Sequence, residues 1–177
     1  MKVLHYSDRG TSEFLSLYNQ CDIVISTGDL QIFDFGNYSE VISKKPAFGI
    51  YGNHDSGRYL EDLGIINLHN KSYKLNGVTL GGFQGCLKYK ESGIMYTEED
   101  AAVFANTFPY VDVLLLHAGP FGMLDDPSDS VHIGSKNIRK YVLEKEPKYF
   151  FLRPSIYKRR NGLWENYDLQ DLQSKDY

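Results

Sequence analysis

Cysteine is nearly absent from this chain. Only Cys21 and Cys86 occur, far apart and without CxxC spacing, so nothing suggests a disulfide framework or a cysteine-rich zinc site. Positive charge is not in excess either: the formal net charge is −4, which gives no whole-chain electrostatic reason to bind nucleic acid or an anionic membrane. No apolar stretch approaches membrane-spanning length, and Met1–Tyr6 runs straight into a short strand pattern rather than an apolar leader. Low-complexity tracts, internal repeats and linkers are missing as well. These absences lead us to expect a soluble, unexported protein of the reducing cytoplasm.

What is present suits one globular domain. The 177 residues are 42% hydrophobic, 24% charged and 14% aromatic, with 14 tyrosines, enough to bury a core without covalent staples. Short apolar runs at 2–7, 22–27, 47–51 and 111–117 read as buried strands, each ending in polar or glycine residues. Helical segments alternate with them. Ser12 is placed to cap a helix carrying Phe14, Leu15, Leu17 and Tyr18, and a shorter helix is expected over 38–44. This βαβ rhythm predicts parallel pairing with right-handed crossovers.

The middle of the chain changes character. Residues 71–75 and 78–82 flank Asn76-Gly77, the strongest short hairpin signal, so a second, partly antiparallel sheet is expected. Thr97 begins a helix with Glu98, Glu99 and Asp100 in its first turn, where they suit the helix dipole. Another helix spans about 135–144, and Pro147 stops it before a strand at 149–152. Beyond Arg153 little strand pattern is visible.

The polar residues that could carry chemistry sit at strand ends. Asp8 follows the first run, Gly28-Asp29 the second, Gly52-Asn53-His54-Asp55 the third, and His117 ends Val113–Leu116. In open α/β sheets such ends converge on one crevice. Carboxylate, amide oxygen and imidazole are the donors that a hard or borderline divalent cation takes, and one carboxylate, naturally Asp29, can bridge two ions. Singly, Asp8, Asp29 and Asn53 would pass for turn or cap residues. Their joint placement favours a metal site. His54, beside Asn53, could stabilise phosphoryl oxygens or protonate a leaving group, with Asp55 as an orienting partner.

At these residues the chain resembles the calcineurin-like metallophosphoesterase superfamily, whose pattern runs DxH, GD, GNH(D/E), a lone His after an apolar strand, then GHxH. The spacings agree, 29 − 8 = 21 and 53 − 29 = 24 residues. His117-Ala118-Gly119-Pro120, with Gly122, Leu124, Asp125 and Val131-His132 after it, looks like a smaller phosphodiesterase branch. The resemblance covers roughly residues 1–152, leaving 153–177 as an atypical tail. It implies a four-layer α-β-β-α sandwich that hydrolyses a phosphodiester or phosphomonoester with a metal-activated water. Up to two divalent ions are implied, from manganese, iron, zinc or nickel: the first on Asp8 and Asp29, the second on Asp29, Asn53 and His117. His54 becomes the catalytic histidine. The expected partner is a small phosphate ester, with nucleotides among the candidates, rather than nucleic acid or membrane. His132 is a candidate substrate contact; His5 reads as a satisfied buried imidazole and His69 as a solvated turn.

The pattern breaks twice. Gly10 stands where the first motif has histidine, and Arg153-Pro154-Ser155-Ile156 stands where GHxH is expected. Three explanations stay open: a one-metal or substrate-completed site, a catalytically degenerate scaffold that binds protein partners, or an incomplete C-terminal end produced by a reading-frame change.

Overall fold

A computed structural model describes residues 1–8, 13–30, 39–123, 125–126 and 128–153, and the backbone of 155–160 and 163–167. Two sheets pack face to face between two layers of helices. The first sheet is all parallel, in the order β1 (Val3–Tyr6), β2 (Ile23–Ser26), β3 (Ala47–Gly49), β4 (Ile66–Asn67). The second runs β12 (Leu163–Tyr167), β11 (Ser155–Arg160), β10 (Tyr149–Leu152), β9 (Val113–Leu116), β6 (Val78–Phe83), β5 (Ser72–Leu75). Its centre, β6-β9-β10, is parallel, and both flanks are antiparallel. A two-stranded ribbon pairs β7 (Cys86–Leu87) with β8 (Met95–Tyr96).

The alternation of side chains along each strand builds three cores. Ile23, Ile25, Phe48 and Ile50 from the first sheet meet Leu80, Val113, Leu115 and Phe151 from the second, forming the layer between sheets. The opposite face of the first sheet, with Leu4, Tyr6 and Val24, packs on α1 (Phe14–Gln20), α2 (Ser39–Ile42) and α3 (Tyr59–Asp62) through Phe14, Tyr18, Ile42 and Leu60. On the outer face of the second sheet, Leu114, Leu116, Phe150 and Leu152 pack on α4 (Glu98–Thr107) and α5 (Lys136–Lys145) through Phe104, Ile138 and Tyr141. The central strands β2, β9 and β10 are covered on both faces, which is why they read as continuous apolar runs. The expected α/β sandwich of four layers is therefore the observed one.

Local signals act as their chemistry requires. Asn76 and Gly77 take positive φ values of 49° and 84° in the β5–β6 turn, as a two-residue type I′ hairpin demands. Thr97 and Asp100 form a capping box on α4. Glu98 reaches out of that first turn to accept hydrogen bonds from the Lys136 and Asn137 amides and the Ser135 hydroxyl, tying α4 to the start of α5. The proposed Ser12 cap lies outside the described residues. The weak strand pattern expected beyond Arg153 differs from the structure, in which backbone pairing carries the chain on into β11 and β12. Among the described residues no helix is long and apolar enough to cross a membrane.

Candidate metal centre at the strand ends

Each expected ligand follows the carboxyl end of a strand: Asp8 after β1, Asp29 after β2, the 52–55 run after β3 and His117 after β9. Asp8 and Asp29 both adopt left-handed backbone, with φ of 63° and 55°, which aspartate tolerates better than most residues. Between them Gly28 has φ +92°, and a Cβ there would lie 2.1 Å from the Gly52 amide nitrogen. The ends of β2 and β3 thus approach closely enough that only glycine fits.

Asp55 locks this junction. Its Oδ2 accepts hydrogen bonds from the amides of Asp29 (2.8 Å) and Gly52 (2.7 Å) and from the Tyr59 hydroxyl (2.7 Å). One carboxylate oxygen thus ties the two strand-end loops to α3. Burial pushes the Asp55 carboxyl up, and these donors pull it back only in part. The His54 amide donates to Asp29 Oδ1 at 2.9 Å, while the His54 residue itself is exposed at the rim.

His117 is 5% exposed. Its Nδ1 lies 2.7 Å from the Thr27 carbonyl oxygen, an acceptor only, so Nδ1 carries the proton and donates. Its Nε2 then faces two further oxygens, Asn53 Oδ1 at 2.9 Å and Asp29 Oδ2 at 3.4 Å. Asn53 is held in that sense by its Nδ2, which donates to the Tyr89 hydroxyl at 3.3 Å. A ring nitrogen aimed at two oxygens accommodates a positive centre among them, either a proton on Nε2 or a metal ion. The separations are those of a hydrogen bond and equally of ligands on bonds of about 2.1 Å, which stand roughly 3.0–3.4 Å apart in octahedral or tetrahedral arrangement. Asp29, Asn53 and His117 therefore fit one divalent ion of borderline character. The Thr27 carbonyl is the outer partner that fixes the tautomer.

The position shared by Asp8 and Asp29 is different. The Arg153 guanidinium lies across it, with Nε 2.7 Å from Asp8 Oδ1 and Nη1 3.0 Å from Asp29 Oδ2. Burial alone would raise the Asp29 carboxyl. The hydrogen bond and charge of His117, the His54 amide and the Arg153 charge outweigh it and hold the group below its ordinary value. Among the described residues no three His, Cys, Asp or Glu side chains gather round one point; the cluster is mixed, with one imidazole, one amide and two carboxylates.

Two histidines stand apart from it. His132 pairs with Asp129 within its own exposed loop, and none of its contacts among the described residues reaches Asp29, Asn53 or His117. His5 is buried in β1, 3.0 Å from Thr27 Oγ1 and edge-on to Phe151. Burial lowers its pKa from 6.5 to about 4. The unfolded chain therefore takes up a proton near pH 6.5 that the folded chain refuses. Stability present above that pH is lost as pH falls towards 4, by up to ~3 kcal/mol. In denaturant titrations the stability of the wild type relative to His5→Phe should fall by that order between pH 7 and 4.5. A gap independent of pH would contradict it. His69, read from sequence as a solvated turn, is half-buried: its Nδ1 accepts the Gln84 amide hydrogen and its ring tilts against Phe83. Gly10 and Pro154 lie outside the described residues, as does the Ile156 side chain.

Sequence reasoning did not single out Thr27, Tyr59 or Tyr89, and it treated Arg153 only as a departure from a motif. A backbone carbonyl leaves no trace in residue type, and the tyrosines were hidden among 14.

The fold is an α/β one with parallel sheets, of the calcineurin-like metallophosphoesterase kind. The particular likeness is to a solved structure, TT1561 of Thermus thermophilus, with a TM-score of 0.63 and 14% identity, covering 92% of this chain and 86% of that one. At that identity the likeness establishes the fold alone. No family model matches the chain, and no curated protein matches it.

Proposed function

We propose that the chain is a metal-dependent phosphoesterase, most naturally a phosphodiesterase, that holds its divalent ion on Asp29, Asn53 and His117. The observation that carries this reading is the approach of both Asn53 Oδ1 and Asp29 Oδ2 to His117 Nε2, which a cation among them would explain. Manganese, iron, zinc and nickel all accept such a mixed donor set. An ion there supplies Lewis acidity to a phosphoryl oxygen and to the attacking water.

The chain's own residues do the rest. Thr27 fixes the His117 tautomer and Tyr89 the Asn53 amide. Asp55 clamps the β2 and β3 loops. His54 has its backbone anchored on Asp29 and its side chain at the exposed rim, a position from which it can protonate the leaving-group oxygen. The preference for a diester, and for a small nucleotide-type substrate, rests on the resemblance around His117-Ala118-Gly119-Pro120 and is analogy. Cytoplasmic residence is supported by two buried free cysteines.

Hydrolysis of bis-p-nitrophenyl phosphate and of p-nitrophenyl phosphate, with and without manganese, tests the reading. His54→Ala should lower turnover by ~10²–10⁴-fold, the usual range for an acid–base residue, while manganese affinity stays within threefold. Unchanged turnover would remove His54 from the chemistry. The Arg153 contact with Asp8 and Asp29 also suits a second reading, a degenerate scaffold that binds protein partners. A folded protein with neither manganese binding nor turnover would favour it.

A further inference from the structure

We infer that the Arg153 guanidinium is the resident cation between Asp8 and Asp29, and that no second divalent ion enters there. Nε meets Asp8 and Nη1 meets Asp29, so a single planar cation spans two carboxylates that arrive from different strands. Both aspartates adopt left-handed backbone. Without the guanidinium Asp8 would lose this ion pair, and Asp29, only 7% exposed on its side chain, would keep only the His54 amide and His117. Arginine suits the task because its fork engages two acceptors and its charge does not titrate.

The sequence agrees with this assignment. In the metallophosphoesterase pattern that the chain resembles, imidazoles stand where this sequence has Gly10, Pro154 and Ile156, and Arg153 opens that same tetrapeptide.

Asp8 and Asp29 contribute −2 and Arg153 +1, so these three groups carry −1, and Asp55 behind them adds no positive charge; phosphate is disfavoured until one divalent ion on Asp29, Asn53 and His117 brings the three to +1. Two ions with arginine displaced would give +2. Arginine cannot lower the pKa of a water as a metal does, so its contribution is charge and position alone. That division of labour depends on the phosphoesterase reading above; the presence of arginine as the resident cation does not.

Two measurements on the full chain separate these claims. The first is a double-mutant cycle on thermal stability in metal-free buffer, using Arg153→Met, Asp8→Asn and the double variant. Arg153→Met should lower Tm by about 2–4 °C, the scale of a kcal/mol-sized change in a chain of this length. Adding Asp8→Asn should restore at least half of the loss. Strictly additive shifts would overturn the inference. The second is manganese bound per chain, by elemental analysis after dialysis. One ion per chain in the wild type supports it, whether Arg153→Met then holds one ion or two. Two ions in the wild type, unchanged in Arg153→Met, overturn it. No ion in a folded wild type that still shows the Tm coupling would leave arginine as the only cation and sink the phosphoesterase reading instead.

Discussion

Asp29→Asn is expected to abolish divalent-ion binding and diester turnover together. Asp29 gives Oδ2 to the point shared with His117 and Arg153, and Oδ1 to the His54 amide. Asparagine keeps the shape but removes the charge. Whichever way the amide turns, its NH₂ meets either the Arg153 donors or the His54 N–H, donor against donor. Since changes in outer partners of a metal ligand cost about 10–100-fold, loss of the ligand itself should exceed ~100-fold in manganese affinity, with turnover falling at least as far. Calorimetric manganese titration beside the hydrolysis assay reads both. Turnover preserved without manganese binding would separate the two and contradict the account.

Gly52→Ala should do comparable damage by a different route. A Cβ at Gly52 would stand 2.1 Å from Asp29 Oδ1 and 2.6 Å from His117 Cε1, distances at which something must move. Neither neighbour yields easily: the Asp29 amide is held by Asp55 and the His117 ring by the Thr27 carbonyl. Forcing a methyl into so tight a place costs about 1–3 kcal/mol, which at this size corresponds to a fall in Tm of roughly 3–10 °C. Because the strain falls on two of the three ligands, manganese affinity should drop by more than tenfold as well. A variant with wild-type Tm and wild-type affinity would show that the loop is looser than these contacts imply. Together the two substitutions distinguish chemistry from space, since Asp29→Asn changes charge at constant volume and Gly52→Ala changes volume at constant charge.

The central strands were legible because burial on both faces leaves an unmixed apolar signature, as in Ile23–Ser26 and Val113–Leu116. The β5–β6 hairpin was legible because Asn76-Gly77 allows few alternatives. Shorter pieces were not. β4, β7 and β8 have two residues each, too few for a period, and α3 has a single turn. At the far edge, the run Lys158-Arg159-Arg160 interrupts any apolar alternation in β11, and the Asn161-Gly162 pair between β11 and β12 is the one local signal of a hairpin there. Strands of that kind are held by backbone pairing, to which residue type is nearly blind.

At the site, the strand ends bring Asp29, Asn53 and His117 together, as their positions in the sequence suggested. The role of Arg153 was out of reach, because it lies 124 residues from Asp29 in sequence and its meaning comes from where its guanidinium lands. Thr27 acts on His117 through a carbonyl, which any residue has. Asp55 read from sequence as a partner for His54, whereas its hydrogen bonds go to the loops and Tyr59. In each case the decisive contact joins segments far apart in the chain or uses the main chain.

The most direct test of the central claim is hydrolysis of bis-p-nitrophenyl phosphate by the wild-type protein, measured across a manganese titration and again in excess EDTA. The account predicts turnover that rises with manganese, saturates once the site on Asp29, Asn53 and His117 is filled, and vanishes with EDTA. A folded protein that hydrolyses the diester at no manganese concentration, or equally well in EDTA, would contradict it.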